Sequence, residues 1–420
     1  MNLTEALEAV LSHIGVLDVE EKALLRCAGR VSAENIRSEY NLPMLPAARL
    51  DGYAVRTEDI AGAGQESPVT LRIIGTARAG VRPKQHVKPG TAMRIMTGSV
   101  LPPGADGVVR FEDTDEPGDK NGPNAGSPSQ VKIFVSAESG ANISPAGSMV
   151  KRGALVLPQG KSIGPAQISA LAAIGKARVR VVRRPRVAII ATGDELISLQ
   201  KAISPGKTYN SNAAAISALV THYGGLPLVL GIARDNEASL LAKIRRAVTA
   251  DAVITSGGVS MGDYDLVRLV IAKLGNVVFS RLNMGPGRSF TFGLIDRPPG
   301  GGQSTPLPVF GLSGPPAGCL NNFETLVRPA LLKMMGFTAL VHPAVAAVAG
   351  DAAGVKPLDF VKWSRLARVD GEYRVLLNGP DKAGMLAQMA AANSLTIVPA
   401  GAEVHPGDSI EVWPLDWSRD

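Results

Sequence analysis

The residues best equipped for chemistry stand in the phrase DAVITSGGVSMGDYD, Asp251 to Asp265. An apolar run ends in Thr255 and Ser256, Gly257 and Gly258 turn the chain, and Asp263 and Asp265 open a helical pattern. Glycines at such a turn let backbone N–H groups face an anion without interference from Cβ, and a helix N-terminus adds partial positive charge. Acids beside a phosphate are what a divalent cation requires. Alone, such a turn is more often plain α/β architecture than a site. It has company, however. VAIIATGDEL, Val187 to Leu196, brings Thr192, Gly193, Asp194 and Glu195 to the end of a second buried run, and PVFGLSGPPAG, Pro308 to Gly318, brings Gly314 and two prolines to the end of a third. In open α/β sheets ligands sit outside the carboxyl ends of the strands, so the three turns predict one shared crevice.

The elements that must hold these turns alternate from Arg183 to about Arg328. Strands are expected at Val187–Ala191, Pro227–Gly231, Ala252–Thr255 and Val277–Ser280, with helices at Asn212–His222, Ala238–Val248 and Tyr264–Leu274. This alternation predicts a three-layer α/β/α domain with a mostly parallel sheet over 183–328. Residues 46–140 read as a β-rich inserted domain whose polar stretch DEPGDKNGPNAGSPSQ should be an exposed, mobile loop. Residues 1–45 open with an apolar helical spacing, Leu3, Leu7, Val10, Leu11 and Ile14, and residues 141–182 hold a second, short helix in IGPAQISALAAIG that starts at a proline and stops at glycine. Residues 338–420 carry short strands and Gly/Pro turns around one helical pattern, Lys382 to Ala392. A chain of 420 residues with 45% hydrophobic content can bury several such cores.

Composition also excludes. The net charge of +7 favours anionic ligands, but aromatics are only 4%, so stacking platforms for nucleic acid are scarce. The densest basic tract, KARVRVVRRPR from Lys176 to Arg186, alternates charge with valine as an edge strand or connector does. Two cysteines, Cys27 and Cys319, stand far apart without ligand spacing, which argues against a disulfide framework or structural zinc. Gly160-Lys161-Ser162 and Gly206-Lys207-Thr208 mimic a P-loop ending but have Leu155 and Lys201 where the first glycine belongs. The first residues lack a basic n-region and a continuous apolar core, so a mature, cytoplasmic start is expected, with no membrane segment.

TGDEL at 192–196, SGGVSMGDYD at 256–265, DGYAV at 51–55 and RIMTGSVLPPGADGVV at 94–109 resemble the molybdopterin molybdenumtransferase family, the MoeA group related to the gephyrin E domain. The phrases follow the family's order across nearly the whole chain. The resemblance implies that 141–182 return to join 1–45 in one helix-containing N-terminal domain, and it implies a C-terminal β-barrel-like domain, a homodimer and a part in molybdenum cofactor biosynthesis. It implies that adenylylated molybdopterin and molybdate are the substrates, with Mg²⁺ assisting the release of AMP. By resemblance Thr192, Gly193, Asp194, Ser256, Gly257, Gly258, Ser260, Gly287 and Gly314 bind the pterin phosphate. Asp194, Glu195, Asp235 and Asp265 then lie in the metal region, Asp235, Asp265 and Arg288 serve catalysis, and Asp51 reaches a neighbouring subunit's cleft. For Glu195 and Asp263 a helix cap or an exposed loop charge is an equal reading. The resemblance also allows contact with a molybdopterin adenylyltransferase and with recipient molybdoenzymes.

Departures from the family cluster on the oxyanion side. The family's Lys-Pro-Gly-Lys reads Gly285, Pro286, Gly287, Arg288, and its Leu-Pro-Gly-Asn-Pro-Val-Ser reads Leu312 to Gly318 with Ser313, Pro315, Ala317 and Gly318 substituted. Asp-Phe-x-Arg ends in Lys362, Gly-Ser before Gly-Met-Leu reads Lys382, Ala383, and a serine before DGYAV is Ala48. Arginine keeps the charge but not the point geometry of lysine. Two readings stay open: an insertase whose Arg288, Lys362 and Lys382 rebuild the oxyanion pocket, with a molybdate or tungstate preference, or a carrier or scaffold that binds pterin without turnover.

Overall fold

The computed structural model describes residues 1–116, 129–259, 265–297, 305–378 and 384–417. The central sheet has six strands in the order Leu226–Ala233, Arg186–Thr192, Ala252–Ser256, Leu307–Leu312, Thr291–Ile295, Gly275–Ser280. The first four run parallel and the last two are antiparallel additions at one edge. Ala252–Ser256 and Leu307–Leu312 are buried along their whole length, as apolar runs of parallel strands covered on both faces must be. One face packs on the helices Ser211–His222 and Pro316–Asn322, and the other on Glu237–Ala247 and Leu266–Leu274. The expected alternation holds, but the strand Thr291–Ile295 is additional to the sequence reading.

The first helix, Leu3–Ser12, carries a capping box in which Asn2 and Glu5 exchange hydrogen bonds. It buries Ala6 and Val10 in the central α/β core, against the segments Phe323–Val327 and Arg328–Met334. The resemblance implies that residues 141–182 return to pack with this helix. Instead the helix Pro165–Ala173 joins a separate core containing Leu24, Cys27, Ile36 and Val179. The apolar spacing of Leu3–Ser12 is satisfied by the α/β layer, which leaves the second helix to the strands.

The inserted region forms a five-stranded sheet ordered Gly107–Arg110, Gly52–Val55, Thr91–Ile95, Val69–Ala77, Gln130–Ile133. Most of its long polar stretch falls outside the described residues. The C-terminal region is a closed five-stranded barrel: Asp359–Val369, Glu372–Leu376, Val345–Ala349, Ser409–Pro414, Ser394–Val398, and back to Asp359–Val369. The eleven-residue strand closes it, pairing through Phe360–Ser364 on one side and through Arg365–Val369 on the other. No helix among the described residues is long and apolar enough to cross a membrane.

Candidate functional site

The three Gly-rich turns do meet. Thr192 and Glu195 from the first, Ser256 and Gly257 from the second, and Gly314, Pro315 and Pro316 from the third line one cleft of about 320 Å³, walled by Thr208–Asn212. Gly257 and Gly258 are both left-handed, with φ of 79° and 68°. A Cβ at Gly257 would lie 2.4 Å from the Thr192 carbonyl oxygen, so only glycine lets the two turns close on each other. One expected anion donor is already committed, because the Gly257 N–H donates to the Leu312 carbonyl at 3.2 Å. The Gly314 N–H has no partner among the described residues, and its carbonyl accepts from Asn212 Nδ2 at 2.8 Å. The buried Thr192 hydroxyl likewise lacks a hydrogen-bond partner. A buried hydroxyl without a partner, facing a free backbone N–H across the cleft, fits an oxygen-rich ligand such as a phosphate.

The four acids expected around a metal do not come together. The Asp194 N–H donates to Asp235 Oδ2 at 3.2 Å, which makes those two neighbours on the exposed rim. Glu195 folds back over Gly193, where an added Cβ would meet its carboxylate at 2.6 Å. Asp265 is only 7% exposed and is spent as the N-cap of Leu266–Leu274. It accepts from the Arg268 N–H at 2.9 Å and from Thr291 Oγ1 at 3.2 Å, while burial pushes its carboxyl above the usual aspartate range. Among the described residues no three His, Cys, Asp or Glu side chains stand as a metal-holding group. The Asp194–Asp235 pair still suits Mg²⁺, which keeps several waters and takes one or two carboxylates plus substrate phosphates.

The cationic side lies where the barrel meets the central domain. Met284 and Gly285 pair in parallel with Asp359 and Phe360, which sets the loop bearing Arg288 beside the barrel strand bearing Lys362. Asn321 Nδ2 donates to the Pro286 carbonyl at 2.9 Å, and Asn322 Nδ2 to that of Gly287 at 2.8 Å. A Cβ at Gly318 would come within 3.0 Å of the Gly287 nitrogen, so the loss of the family serine there goes with a close approach of loop and helix. Ser313, in place of the family proline, donates from Oγ to the Ser289 carbonyl at 2.7 Å. The departures are therefore physically coupled. Lys356 and Lys362 both lie over the Phe360 ring, at 5.7 and 6.0 Å, and Lys362 Nζ donates to Asn378 Oδ1 at 2.6 Å. Burial lowers the Lys362 pKa. The Arg288 side chain is exposed and has no hydrogen-bond or ion-pair partner among the described residues, while its carbonyl accepts from the Leu282 N–H at 2.9 Å.

Asp51 stands apart from this cleft, on the inserted sheet. Its Oδ1 accepts from the Thr97 N–H at 2.7 Å and from Thr97 Oγ1 at 2.8 Å. Ser260, Asp263 and Lys382 lie outside the described residues. Cys319 is buried, and burial pushes its thiol far up, consistent with a packing role. Sequence reasoning passed over Asn212, Asn321, Asn322 and Lys356. A doubled asparagine inside an apolar helix was the one visible signal.

Comparison with known proteins follows the same division of the chain. Residues 1–175 match the MoeA N-terminal region (domain I and II), 188–333 match the family described as "Probable molybdopterin binding domain", and 359–415 match the MoeA C-terminal region (domain IV). The molybdopterin molybdenumtransferase of Nostoc sp. is 34% identical over 390 residues, 91% of this chain and 86% of that relative. The protein of the same name from Bacillus subtilis is 33% identical over 404 residues, 94% and 89% of the two chains. A crystal structure titled as the molybdopterin biosynthesis MoeA protein from Pyrococcus horikosii superposes with a TM-score of 0.81 at 31% identity, covering 99% of this chain and 98% of that one.

Proposed function

This chain belongs to the molybdopterin molybdenumtransferase family, and from that membership we propose that it completes the molybdenum cofactor by inserting molybdate into the dithiolene of adenylylated molybdopterin, with release of AMP. The observation that carries this reading is the cleft at the carboxyl ends of three strands, with the partnerless Thr192 hydroxyl and Gly314 N–H inside it. Ser256, Gly257 and Gly314 line the phosphate side. Asp194 and Asp235 would hold Mg²⁺, which when bound neutralises charge on the phosphate. Arg288 and Lys362 hold the oxyanion through charge-assisted hydrogen bonds. We place the protein in the cytoplasm as a homodimer in which Asp51 serves the other copy's cleft.

The test supplies adenylylated molybdopterin, Mg²⁺ and either molybdate or tungstate, and measures AMP together with metal-loaded pterin. Oxyanion-dependent AMP with loaded pterin is the expected result, and the preferred oxyanion reports the selectivity of the rebuilt pocket. Tight pterin binding with neither product would replace this reading with that of a carrier. The spending of Asp265 on a helix cap favours that second reading.

A further inference from the structure

The basic tract Lys176 to Arg186 ends in a second concavity, of about 730 Å³, at the junction of the N-terminal strands and the central sheet. Among the described residues six cations line it, Lys22, Arg26, Arg30, Arg183, Arg184 and Arg186, around one carboxylate, Glu20. That carboxylate is taken twice over, by Arg30 on Oε1 and by Lys22 on Oε2. Arg183 is taken as well, in a two-pronged pair with Asp251 at 2.7 Å on each arm. The side chains of Arg26, Arg184 and Arg186 then have no hydrogen-bond or ion-pair partner among the described residues, and the Arg184 Nε is buried without an acceptor. A buried guanidinium donor left unpaired is unfavourable, and a carboxylate is its best-matched acceptor. Two leucines flank these arginines, Leu25 at 81% exposure and Leu226 at 47%.

We propose that this groove docks an acidic, leucine-bearing segment of a partner protein. Carboxylates pair with Arg26, Arg184 and Arg186, and an apolar side chain covers Leu25 and Leu226. Among the described residues no aromatic side chain lines the groove, so nucleobases would find nothing there to stack on. The strand Arg186–Thr192 runs from this groove to the cleft, a length of about 20 Å. A docked partner therefore leaves the cleft open.

The test is fluorescence anisotropy of the full chain with a labelled peptide, Leu-Glu-Glu-Leu-Glu-Glu-Leu. Its glutamine counterpart is the control, and oligothymidine and inorganic phosphate are the competitors. The glutamate peptide is expected to bind at least about tenfold more tightly than the control. The paired substitution Arg26→Gln and Arg186→Gln, which alters two exposed side chains and leaves the backbone hydrogen bonds of Arg186 in place, is expected to weaken it about tenfold and leave AMP release unchanged. Arg184→Gln should weaken it similarly. Equal binding of the two peptides, indifference to these substitutions, tighter binding of oligothymidine, or full displacement by phosphate at matched ionic strength would each overturn the proposal. A change in light-scattering mass in the paired variant would also overturn it, because the groove would then be a contact between copies of this chain.

Discussion

Gly257 and Gly314 line the same cleft yet should respond oppositely to a methyl group. Gly257 has φ of 79° and sits against the Thr192 carbonyl, so Gly257→Ala is expected to cost about 2 kcal/mol or more in urea denaturation. At Gly314 the nearest atom to an added Cβ is 3.8 Å away, so Gly314→Ala should stay within about 0.5 kcal/mol of the parent while weakening pterin-phosphate binding. Asp265 makes a different demand. Burial raises its pKa, so the folded state holds its proton more tightly than the unfolded state does. The stabilising contribution of that proton is present below the ordinary aspartate range, about pH 3.9, and is lost as pH rises through the raised folded value. Asp265→Asn keeps a capping acceptor and removes the buried charge. Its Tm should exceed the parent's at neutral pH, and the gap should close on acidification. If Asp265 also serves the reaction, the same variant loses activity as it gains stability.

Glu324 joins three elements at once. It is 1% exposed and sits in one turn of π-helix, Phe323–Val327, which precedes Pro329, a residue unable to donate to the Thr325 carbonyl. Its carboxylate accepts from the Tyr223 hydroxyl at 2.9 Å and Trp417 Nε1 at 3.1 Å, and it meets His342 Nε2 at 2.9 Å. Glu324→Ala would strand these partners and is expected to cost about 3 to 5 kcal/mol. All three tryptophans, Trp363, Trp413 and Trp417, lie in the C-terminal region, so their fluorescence should report its loosening ahead of the helical circular dichroism. None of this was legible in the sequence. The parallel strands were, because burial on both faces writes a near-continuous apolar run, and the three glycine turns were, because turn chemistry is local. Thr291–Ile295 escaped because TFGLI is short and joins the sheet antiparallel on both sides, outside the strand–helix alternation that marks the parallel strands. Asn212 reaches Gly314 across 102 positions of sequence, and no local pattern records such a contact.

For the whole molecule, the proposed homodimer makes a test that neither single variant can. Asp51→Ala and Asp235→Ala proteins, each inactive alone, should recover activity when unfolded and refolded together. A mixed dimer with one intact cleft of two sets the ceiling at roughly a quarter of the parent rate. No recovery, with mixed dimers present by light scattering, would place both residues in one copy's cleft or outside catalysis.

The closed C-terminal barrel has one more consequence. Its long strand serves both neighbours by changing partner at Ser364 and Arg365, and Met284 and Gly285 pair with its first two residues. A sheet closed in this way exposes no row of unpaired backbone groups on which another chain could template itself. The region holding all three tryptophans and several exposed apolar side chains should therefore resist edge-to-edge strand addition better than an open sheet would.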